Sequence, residues 1–284
     1  MTHLAILGPG LLGGSIALTA RLHGNYRVAM WARRAEAVVA IDQRGIADRA
    51  STDVQSVVAD ADLVVLCTPI GAMPDLARQI AEAIPAAAIV TDVGSVKAPV
   101  CAELAEIFRS RGRFVGSHPM AGSEQTGLDA ARDDLFRNAV SIVTPTPDSD
   151  VEAVTMVRDF WISLGARVLE LAPEEHDEIV ALVSHLPHLL AATLINLIVS
   201  ENPRALDFCG PGFRDTTRVA SGPPEMWAEI LGTNHTAVRR AAEAMIEKLR
   251  EFITLLDRNR PMTDLLTEAK TQRDRLRLPP RPNV

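Results

Sequence analysis

The sequence is poor in aromatic residues and has no excess of positive charge. Aromatic residues make up 4% of its 284 residues, and 29 Lys and Arg against 36 Asp and Glu give a formal net charge of −7. Nucleic-acid binding relies on a basic field, and the binding of single strands also needs aromatic stacking platforms. The composition therefore argues against nucleic acid as a partner.

The sequence also has few cysteines, and they are widely spaced. Cys67, Cys101 and Cys209 are its three cysteines, an odd number without a CxxC pair. This set matches neither a disulfide framework nor a zinc-binding spacing, so we expect a reducing compartment and no bound metal. No signal or transit segment precedes the first apolar run, "HLAILG", and we therefore expect a cytoplasmic protein.

Long hydrophobic runs are absent as well. The longest, "LLAATLINLIV" at residues 189–199, contains Thr and Asn and is shorter than the roughly 20 apolar residues that a membrane-spanning helix needs. We therefore expect a buried helix here and no membrane association.

Alternating strand and helix patterns occupy the chain up to about residue 170. Short β-branched or apolar runs, beginning with "HLAILG", "YRVAMWA" and "DLVVLCTP", alternate with helical patterns. Such alternation predicts βαβ units and a parallel sheet that helices cover on both faces. We expect the later strands "AVSIVTP" and "ARVLEL" to extend this same sheet.

After Pro173 the strand signal ends and the remaining patterns are helical. Segments 174–200, 223–232, 234–258 and 261–276 have helical spacing, with a loop predicted at "CGPGFRD". The patterns predict an α/β Rossmann-type domain over residues 1–172 and an all-helical domain over residues 173–284. Pro187 lies inside the first helical segment, where we expect it to kink the helix.

The helical domain has more apolar surface than about a hundred residues can easily cover. We predict a homodimer in which a second copy of the chain covers this surface; packing within one chain is the alternative. In the long helical segment, the apolar residues at helical spacing are Val238, Ala241, Met245, Leu249, Phe252, Leu255 and Leu256.

A glycine-rich loop follows the first strand and opens a helix. Its sequence "GPGLLG" places Gly8, Gly10 and Gly13 at the GxGxxG spacing. The first glycine permits a tight turn, the second lets a pyrophosphate approach the backbone, and the third lets the helix pack on the strand. We predict dinucleotide binding rather than a purely structural turn, with Leu11 and Leu12 also contacting the cofactor.

The end of the second strand bears on the choice of cofactor. An Asp or Glu about 20 residues after the glycine loop would accept the ribose hydroxyls of NAD, but "AMWARRAEA" has Arg33 and Arg34 there. A guanidinium offers paired donors that match a phosphate, so these arginines favour the 2′-phosphate of NADP. The alternative, two solvated arginines at a helix start, leaves NAD possible.

Three further strand ends contain polar or unusual residues. They are "CTPIGAM", "DVGSVK" and "GSHPMAGSE", and we expect them to meet at one crevice beyond the carboxyl ends of the strands. Thr68 and Pro69 would contact the cofactor, with Ser95 and His118 beside the nicotinamide. His118 has the pKa to take the proton of an alcohol that loses hydride; a structural hydrogen bond is its alternative role.

Five motifs occur together between residue 3 and about residue 258: "GLLGGS", "DVGSVK", "GSHPMAGSE", "SHLPH" and "GFRDTTRVASGPPEMW". With this set, the sequence resembles the prephenate/arogenate dehydrogenase family of tyrosine biosynthesis. The resemblance implies oxidative decarboxylation of a cyclohexadienol, prephenate or arogenate, with hydride transfer from C4 to the nicotinamide. It also implies a helical domain that forms a dimer, across which the active sites are completed.

The resemblance also implies roles for individual residues. His118 corresponds to the catalytic histidine, Ser95 to the serine beside it, and Arg218 to the arginine that binds the substrate carboxylate. His185 and His188 share a helix face, with His185 the stronger candidate for substrate contact; without a third ligand the pair does not predict a metal site. Positions that shape or gate the family's pocket correspond to Glu124, Asp215 and Trp227.

Each of those last three residues also has an ordinary role, as a surface charge, a helix cap or a core aromatic. The sequence departs from the longer members of the family at both ends. We expect no chorismate mutase segment before the dinucleotide domain and no ACT domain after residue 276. We therefore expect no feedback inhibition by tyrosine through an added domain.

Two other functions fit parts of the sequence. An NADP-dependent dehydrogenase of β-hydroxy acids shares the two-domain plan, but those enzymes use a catalytic Lys in the helical domain and residues 173–240 contain none. A non-catalytic NADP-binding protein would not need Ser95, His118 and Arg218 together. The choice between prephenate and arogenate stays open, because one or two pocket residues could decide between a keto group and an ammonium.

Overall fold

The first six strands form one parallel sheet. The computed structural model describes residues 1–109, 113–123, 125–258 and 260–276. The strands are β1 (Thr2–Leu7), β2 (Tyr26–Trp31), β3 (Arg49–Ser51), β4 (Leu63–Leu66), β5 (Ile89–Asp92) and β6 (Arg113–Phe114). Their spatial order is β3-β2-β1-β4-β5-β6, with parallel pairing throughout. This is the order of a Rossmann fold, so the predicted sheet is confirmed.

Helices cover both faces of this sheet, which explains why a strand such as β4, "LVVL", is apolar and buried at every position. The helices are α1 (Leu11–His23), α2 (Ala35–Arg44), α3 (Val54–Val58), α4 (Met73–Ile80), α5 (Ala98–Ile107) and α6 (Val151–Ser163). One core holds α1, α2 and α6 against the sheet, and a second core holds α3, α4 and α5 against the other face.

A second, smaller sheet begins where the first one ends. It consists of β7 (Gly116–Pro119), β8 (Val140–Thr144) and β9 (Arg167–Glu170). Because β7 pairs with β8 in the antiparallel direction, the prediction that "AVSIVTP" and "ARVLEL" extend the first sheet is wrong.

The break between the sheets falls at Gly116, where the chain is closely packed. Val115 still donates its N–H to the Val90 carbonyl of the first sheet at 2.9 Å. At Gly116 a Cβ would lie 2.5 Å from both Cys101 Sγ and Thr144 Oγ1, so the chain passes there only as glycine. Beyond it, β7 takes β8 as its partner.

The described residues after β9 are mainly helical, as predicted. Its helices are α7 (Pro173–Val180), α8 (Leu186–Glu201), α9 (Pro211–Thr217), α10 (Pro224–Thr233), α11 (His235–Asp257) and α12 (Thr263–Arg275). The loop predicted at "CGPGFRD" is wrong, because Pro211 begins α9, where a missing N–H costs nothing. A π-helical turn, Ala181–His185, joins α7 to α8 just before Pro187, whose ring cannot donate to the preceding turn.

The helical domain has a small core of its own. Its buried apolar residues are Ala181, Leu186, Val238 and Ala241. The helix Pro173–Glu201 is long and apolar enough to span a membrane. An 18-residue window within it has a mean hydropathy of 1.7, and 22% of that window is buried. The prediction of a buried helix at 189–199 is therefore wrong for the single chain. One such helix is weak evidence for a membrane span.

Candidate active site

The glycine loop between β1 and α1 has a conformation that requires glycine. Gly8 has a φ of +122°, and a Cβ there would lie 2.7 Å from the carbonyl oxygen of Cys67. A Cβ on Gly13 would lie 2.0 Å from the carbonyl oxygen of Gly8. Among the described residues, none comes within 4 Å of a Cβ built on Gly10. The loop therefore packs closely on its inner side and leaves the side at Gly10 open, as a pyrophosphate needs.

A cleft of about 500 Å³ extends from this loop towards β5. Its volume lies in the range of ligand and cofactor sites, about 300–1,000 Å³. The Thr68 hydroxyl is buried there and, within the part of the chain that the structure describes, has no hydrogen-bond partner. The cleft contains several predicted cofactor contacts, namely Gly10, Leu11, Leu12, Thr68 and Pro69.

Arg33 and Arg34 lie just outside this cleft. The N–H of Gly8 donates to the carbonyl of Trp31 at 3.1 Å, so the end of β2 abuts the glycine loop. Both arginines follow directly, and both side chains are exposed. Neither lines the cleft, and they are placed to contact only a ligand that extends beyond it.

A second cleft, of about 340 Å³, adjoins the first and lies between the sheet domain and the helices. The two clefts share Ser95. Five of the predicted site residues line the second cleft: Ser95, His118, His185, Arg218 and Trp227. Ser95 and His118 come from the sheet domain and the other three from the helices, so both parts of the chain are needed to form it.

Three other predicted site residues are placed differently. His188 is buried and stacks on Trp227, with ring centroids 3.6 Å apart and an interplanar angle of 8°; it supports the wall of the cleft without lining it. Asp215 is exposed on α9, away from the cleft of its own chain. Glu124 lies outside the described residues.

A buried ion pair fixes the backbone next to His118. Asp92 and Lys97 pair with each other, and the side chains of both are fully buried. Asp92 also accepts hydrogen bonds from the N–H groups of Gly94 at 2.7 Å and Ser117 at 3.1 Å, while Lys97 Nζ donates to the Ser117 carbonyl at 3.0 Å. Loss of one partner would leave a buried unpaired charge, which is strongly destabilising.

The His118 ring is held by the first helix of the helical domain. His118 Nδ1 lies 2.8 Å from His176 Nε2, and His176 Nδ1 lies 2.8 Å from Asp177 Oδ1. Asp177 in turn accepts the N–H groups of Lys97 at 2.7 Å and Ala98 at 2.9 Å. A chain of hydrogen bonds therefore runs from the cleft to the N-terminus of α5.

A second chain of hydrogen bonds reaches His185. Asn234 Nδ2 lies 2.8 Å from the carbonyl oxygen of Asp177 and 3.2 Å from His185 Nδ1. His185 Nε2 is buried and, among the described residues, has no partner. No sequence pattern predicts His176, Asp177 or Asn234 as site residues, because each acts through a partner that is remote in sequence or through the backbone.

Burial controls the charge of both histidines in the cleft. It lowers the pKa of His118 well below the usual 6.5, and the nearby His176 and Lys97 lower it further. Burial also lowers the pKa of His185 to about 4, although the neighbouring Asp177 acts in the opposite direction. Both rings are therefore neutral near pH 7, which a general base requires.

We expect the free energy of unfolding to decrease as the pH falls from about 6.5 to 5. The unfolded chain binds protons at these histidines near pH 6.5 and the folded chain resists them, so acid favours unfolding in this window. His185, with a pKa of about 4 when folded, accounts for about 2 kcal/mol of the loss at pH 5. Urea unfolding at pH 7.5 and pH 5 measures the change.

Replacing His185 with Gln should reduce this difference between the two pH values. Replacing His235, which is exposed at the start of α11, provides the matched control and should leave the difference as it is. Equal free energies of unfolding for the unmodified chain at both pH values would contradict the prediction.

A Rossmann sheet with a glycine loop, joined to helices around a cleft with a neutral histidine, defines a two-domain dehydrogenase. Two family models match the chain: prephenate dehydrogenase, nucleotide-binding domain, over residues 16–170, and prephenate dehydrogenase, dimerization domain, over residues 172–270. The chain belongs to the prephenate dehydrogenase family.

Similar proteins include one curated enzyme and two solved structures. The prephenate dehydrogenase of Bacillus subtilis is 35% identical over 95% of this chain and 74% of its own length. The structure of prephenate dehydrogenase from A. aeolicus in complex with hydroxyphenyl propionate and NAD+ is 31% identical, with a TM-score of 0.90 over 96% of this chain and 97% of that one. The structure of Synechocystis arogenate dehydrogenase is 30% identical, with a TM-score of 0.84 over 96% of this chain and 99% of that one.

Proposed function

We propose that this protein catalyses the oxidative decarboxylation of prephenate in tyrosine biosynthesis, with arogenate as the second candidate substrate. One observation supports this above all. A cleft that contains the neutral His118 and the cationic Arg218 meets the cleft of the glycine loop at Ser95. An acid–base group, an anion-binding group and a dinucleotide loop therefore surround the point where hydride would be transferred.

The residues of the second cleft divide the chemistry between them. Ser95 hydrogen-bonds the 4-hydroxyl of the ring and His118 accepts its proton. When bound, a nicotinamide dinucleotide supplies the hydride acceptor for C4. As the C1 carboxylate leaves as CO2, its electron pair completes the aromatic ring, and the proton held by His118 can return to the phenolic oxygen. Arg218 binds a substrate carboxylate through paired hydrogen bonds.

Two observations support prephenate as the first candidate. The chain is 35% identical, over 95% of its length, to a prephenate dehydrogenase. Prephenate is also a dianion, which suits the guanidinium of Arg218 in the lining of the second cleft, whereas arogenate has an ammonium in addition to its carboxylates.

A two-by-two assay tests this proposal. Prephenate and arogenate are each tested with NAD and with NADP, and the reduced cofactor is followed at 340 nm. We expect the highest kcat/KM with prephenate. Higher kcat/KM with arogenate would reverse the substrate assignment, and no activity with either substrate would contradict the proposed function.

We further propose that NADP is preferred over NAD, because Arg33 and Arg34 follow β2 where an acid would bind the NAD ribose. Replacing Arg33 with Ala should weaken NADP binding by about 1–3 kcal/mol, roughly 5- to 150-fold, with little effect on NAD. The measurement is the Kd for each cofactor by calorimetry. Arg27→Ala, an exposed arginine at the other end of β2, is the matched control. Equal kcat/KM for both cofactors in the unmodified enzyme would overturn the preference.

We also propose that the protein is a cytoplasmic homodimer in which the partner covers the helical domain. Support comes from the match to a dimerization domain over residues 172–270. The exposed apolar side chains of the helical domain provide further support: Leu197, Val199, Ile246, Leu249, Ile253 and Leu256. The free thiols of Cys67, Cys101 and Cys209 fit a reducing compartment.

Light scattering tests the dimer. We expect the mass of two 30.7 kDa chains at micromolar concentration, because an obligate interface of this kind buries more than about 2,000 Å² and resists dilution. Leu249→Glu should lower the mass towards that of one chain, whereas Glu247→Gln on the same helix should not. A single-chain mass for the unmodified protein would contradict the proposal.

A further inference from the structure

Asp177 lies at the centre of the hydrogen bonds that reach the second cleft. It is 5% exposed, and its two carboxylate oxygens accept the N–H groups of Lys97 and Ala98. Its backbone carbonyl accepts from Asn234. A carboxylate and a carbonyl can only accept hydrogen bonds, so every partner of these oxygens must be a donor.

The first branch from Asp177 determines where the His118 proton lies. His176 Nδ1, 2.8 Å from Asp177 Oδ1, has to donate. Burial lowers the pKa of His176 below its usual 6.5, so the ring is neutral near pH 7 and its Nε2 has a lone pair. His118 Nδ1 lies 2.8 Å from that Nε2, so His118 Nδ1 donates in turn. The Nε2 of a neutral His118 is then an acceptor, which is the form that can take a hydroxyl proton.

The second branch leads to the opposite result at His185. Asn234 Nδ2 lies against the carbonyl of Asp177 and against His185 Nδ1. The reversed amide would place two oxygens in contact, so the nitrogen is the atom that bonds there. An amide nitrogen only donates; His185 Nδ1 therefore accepts, and the proton of the neutral ring is on Nε2, the buried atom without a partner among the described residues.

We propose that Asp177 fixes opposite tautomers in the two histidines of the cleft, so that His118 presents an acceptor and His185 presents a donor. His176 and Asn234 are the positioning residues: His176 links Asp177 to His118, and Asn234 links Asp177 to His185 by hydrogen bonds. The inference rests on the proposed function for its consequence: the acceptor takes the hydroxyl proton of the substrate, and the donor binds a keto or carboxylate oxygen. With the tautomers exchanged, His118 could not accept the hydroxyl proton and His185 could not donate to a substrate oxygen.

The tautomers can be measured directly in the unmodified enzyme. In protein labelled with 15N-histidine, two-bond 1H–15N spectra distinguish a protonated from an unprotonated ring nitrogen. We expect protonated Nδ1 at His118 and protonated Nε2 at His185, assigned by single histidine substitutions. A proton on His118 Nε2 or on His185 Nδ1 overturns the proposal. No substrate is needed, so the expected tautomers in an enzyme inactive on prephenate and arogenate would contradict only the proposed function.

Two variants of the positioning residues test the transmission. His176→Phe removes the acceptor for His118 Nδ1 at similar volume, and we expect kcat to fall about 10- to 100-fold, as for other groups that orient a catalytic side chain. KM should change less than threefold, and His118 should become a mixture of tautomers. His235→Phe, in an exposed histidine, is the matched control. An unchanged His118 tautomer in His176→Phe contradicts this branch.

Asn234→Asp tests the second branch by turning a donor into an acceptor. His185 should then move its proton to Nδ1, and KM should rise about 10- to 100-fold with a smaller change in kcat. Asn234→Leu removes the donor without imposing an acceptor, so its KM should rise less. The Asp carboxylate would also face the Asp177 carbonyl, so a purely structural role raises KM as well, and the His185 tautomer is the readout that decides between the two roles. An unchanged His185 tautomer in Asn234→Asp contradicts this branch.

Discussion

Replacing His118 with Asn should lower kcat by about 10²- to 10⁴-fold while the substrate still binds. Asparagine retains a polar side chain of similar length, but it cannot accept and hold a proton during catalysis. A decrease of about 10²- to 10⁴-fold is the usual contribution of a general base. Steady-state kinetics measures kcat, and binding of the substrate to the variant is measured by calorimetry. Near-normal kcat in His118→Asn would mean that another group is the base.

The pH dependence gives a second test of the same residue. A base works only when unprotonated, so kcat/KM should decrease as the pH falls through the pKa of His118. Because burial lowers that pKa well below 6.5, the decrease should begin below pH 6.5, and His118→Asn should lose it. His235→Asn, in an exposed side chain, is the matched control and should keep both the rate and the pH profile.

Replacing Arg218 with Ala should raise KM by roughly 30-fold to several thousandfold, with a smaller effect on kcat. Loss of an ion pair between a buried ligand and its partner costs about 2–5 kcal/mol, and Arg218 is the cationic side chain among the described residues lining the second cleft. Initial rates over a wide range of prephenate concentrations measure this change.

Two further arginine variants make the test specific. Arg218→Lys keeps the charge but loses the paired donors of the guanidinium, so its KM should lie between those of the unmodified enzyme and Arg218→Ala. Arg214→Ala removes an exposed arginine one turn earlier, on α9, and should leave KM nearly as it was. An unchanged KM in Arg218→Ala would remove the assignment of this residue.

The parallel sheet could be predicted because its strands have distinctive sequences. A strand buried on both faces, such as β4, is apolar throughout, and the glycine loop after β1 has a fixed spacing. The second sheet could not be predicted in the same way, because it begins at Gly116, where Cys101 and Thr144 leave no room for a Cβ. Those residues are remote in sequence, and no local pattern reports that they meet.

The sequence also could not predict which apolar side chains of the helical domain are exposed in the single chain. An apolar run such as "LLAATLINLIV" shows that a surface needs covering, but it does not show whether the covering residues belong to the same chain. In the single chain, Leu197 is 53% exposed and Leu256 is 60% exposed. Helical spacing therefore identified the elements correctly and the burial of one of them incorrectly.

The same distinction applies to the site. Ser95, His118, His185, Arg218 and Trp227 all line one cleft, and each was identified from a motif. The partners that orient two of them were not identified, because the partner of His118 lies 58 residues away and that of His185 lies 49 residues away. Their chemistry depends on hydrogen-bond direction, which a sequence pattern does not encode.

The contact of Asp177 with the start of α5 has a consequence for how the enzyme would lose activity on warming. That contact joins the helices to the sheet domain, whereas the glycine loop packs against Trp31 and Cys67, which both belong to the sheet domain. Partial separation of the two parts would disturb the orientation of His118 and spare the dinucleotide loop. Thermal inactivation should then precede the loss of cofactor affinity, so that a warmed sample would sequester dinucleotide without turning it over.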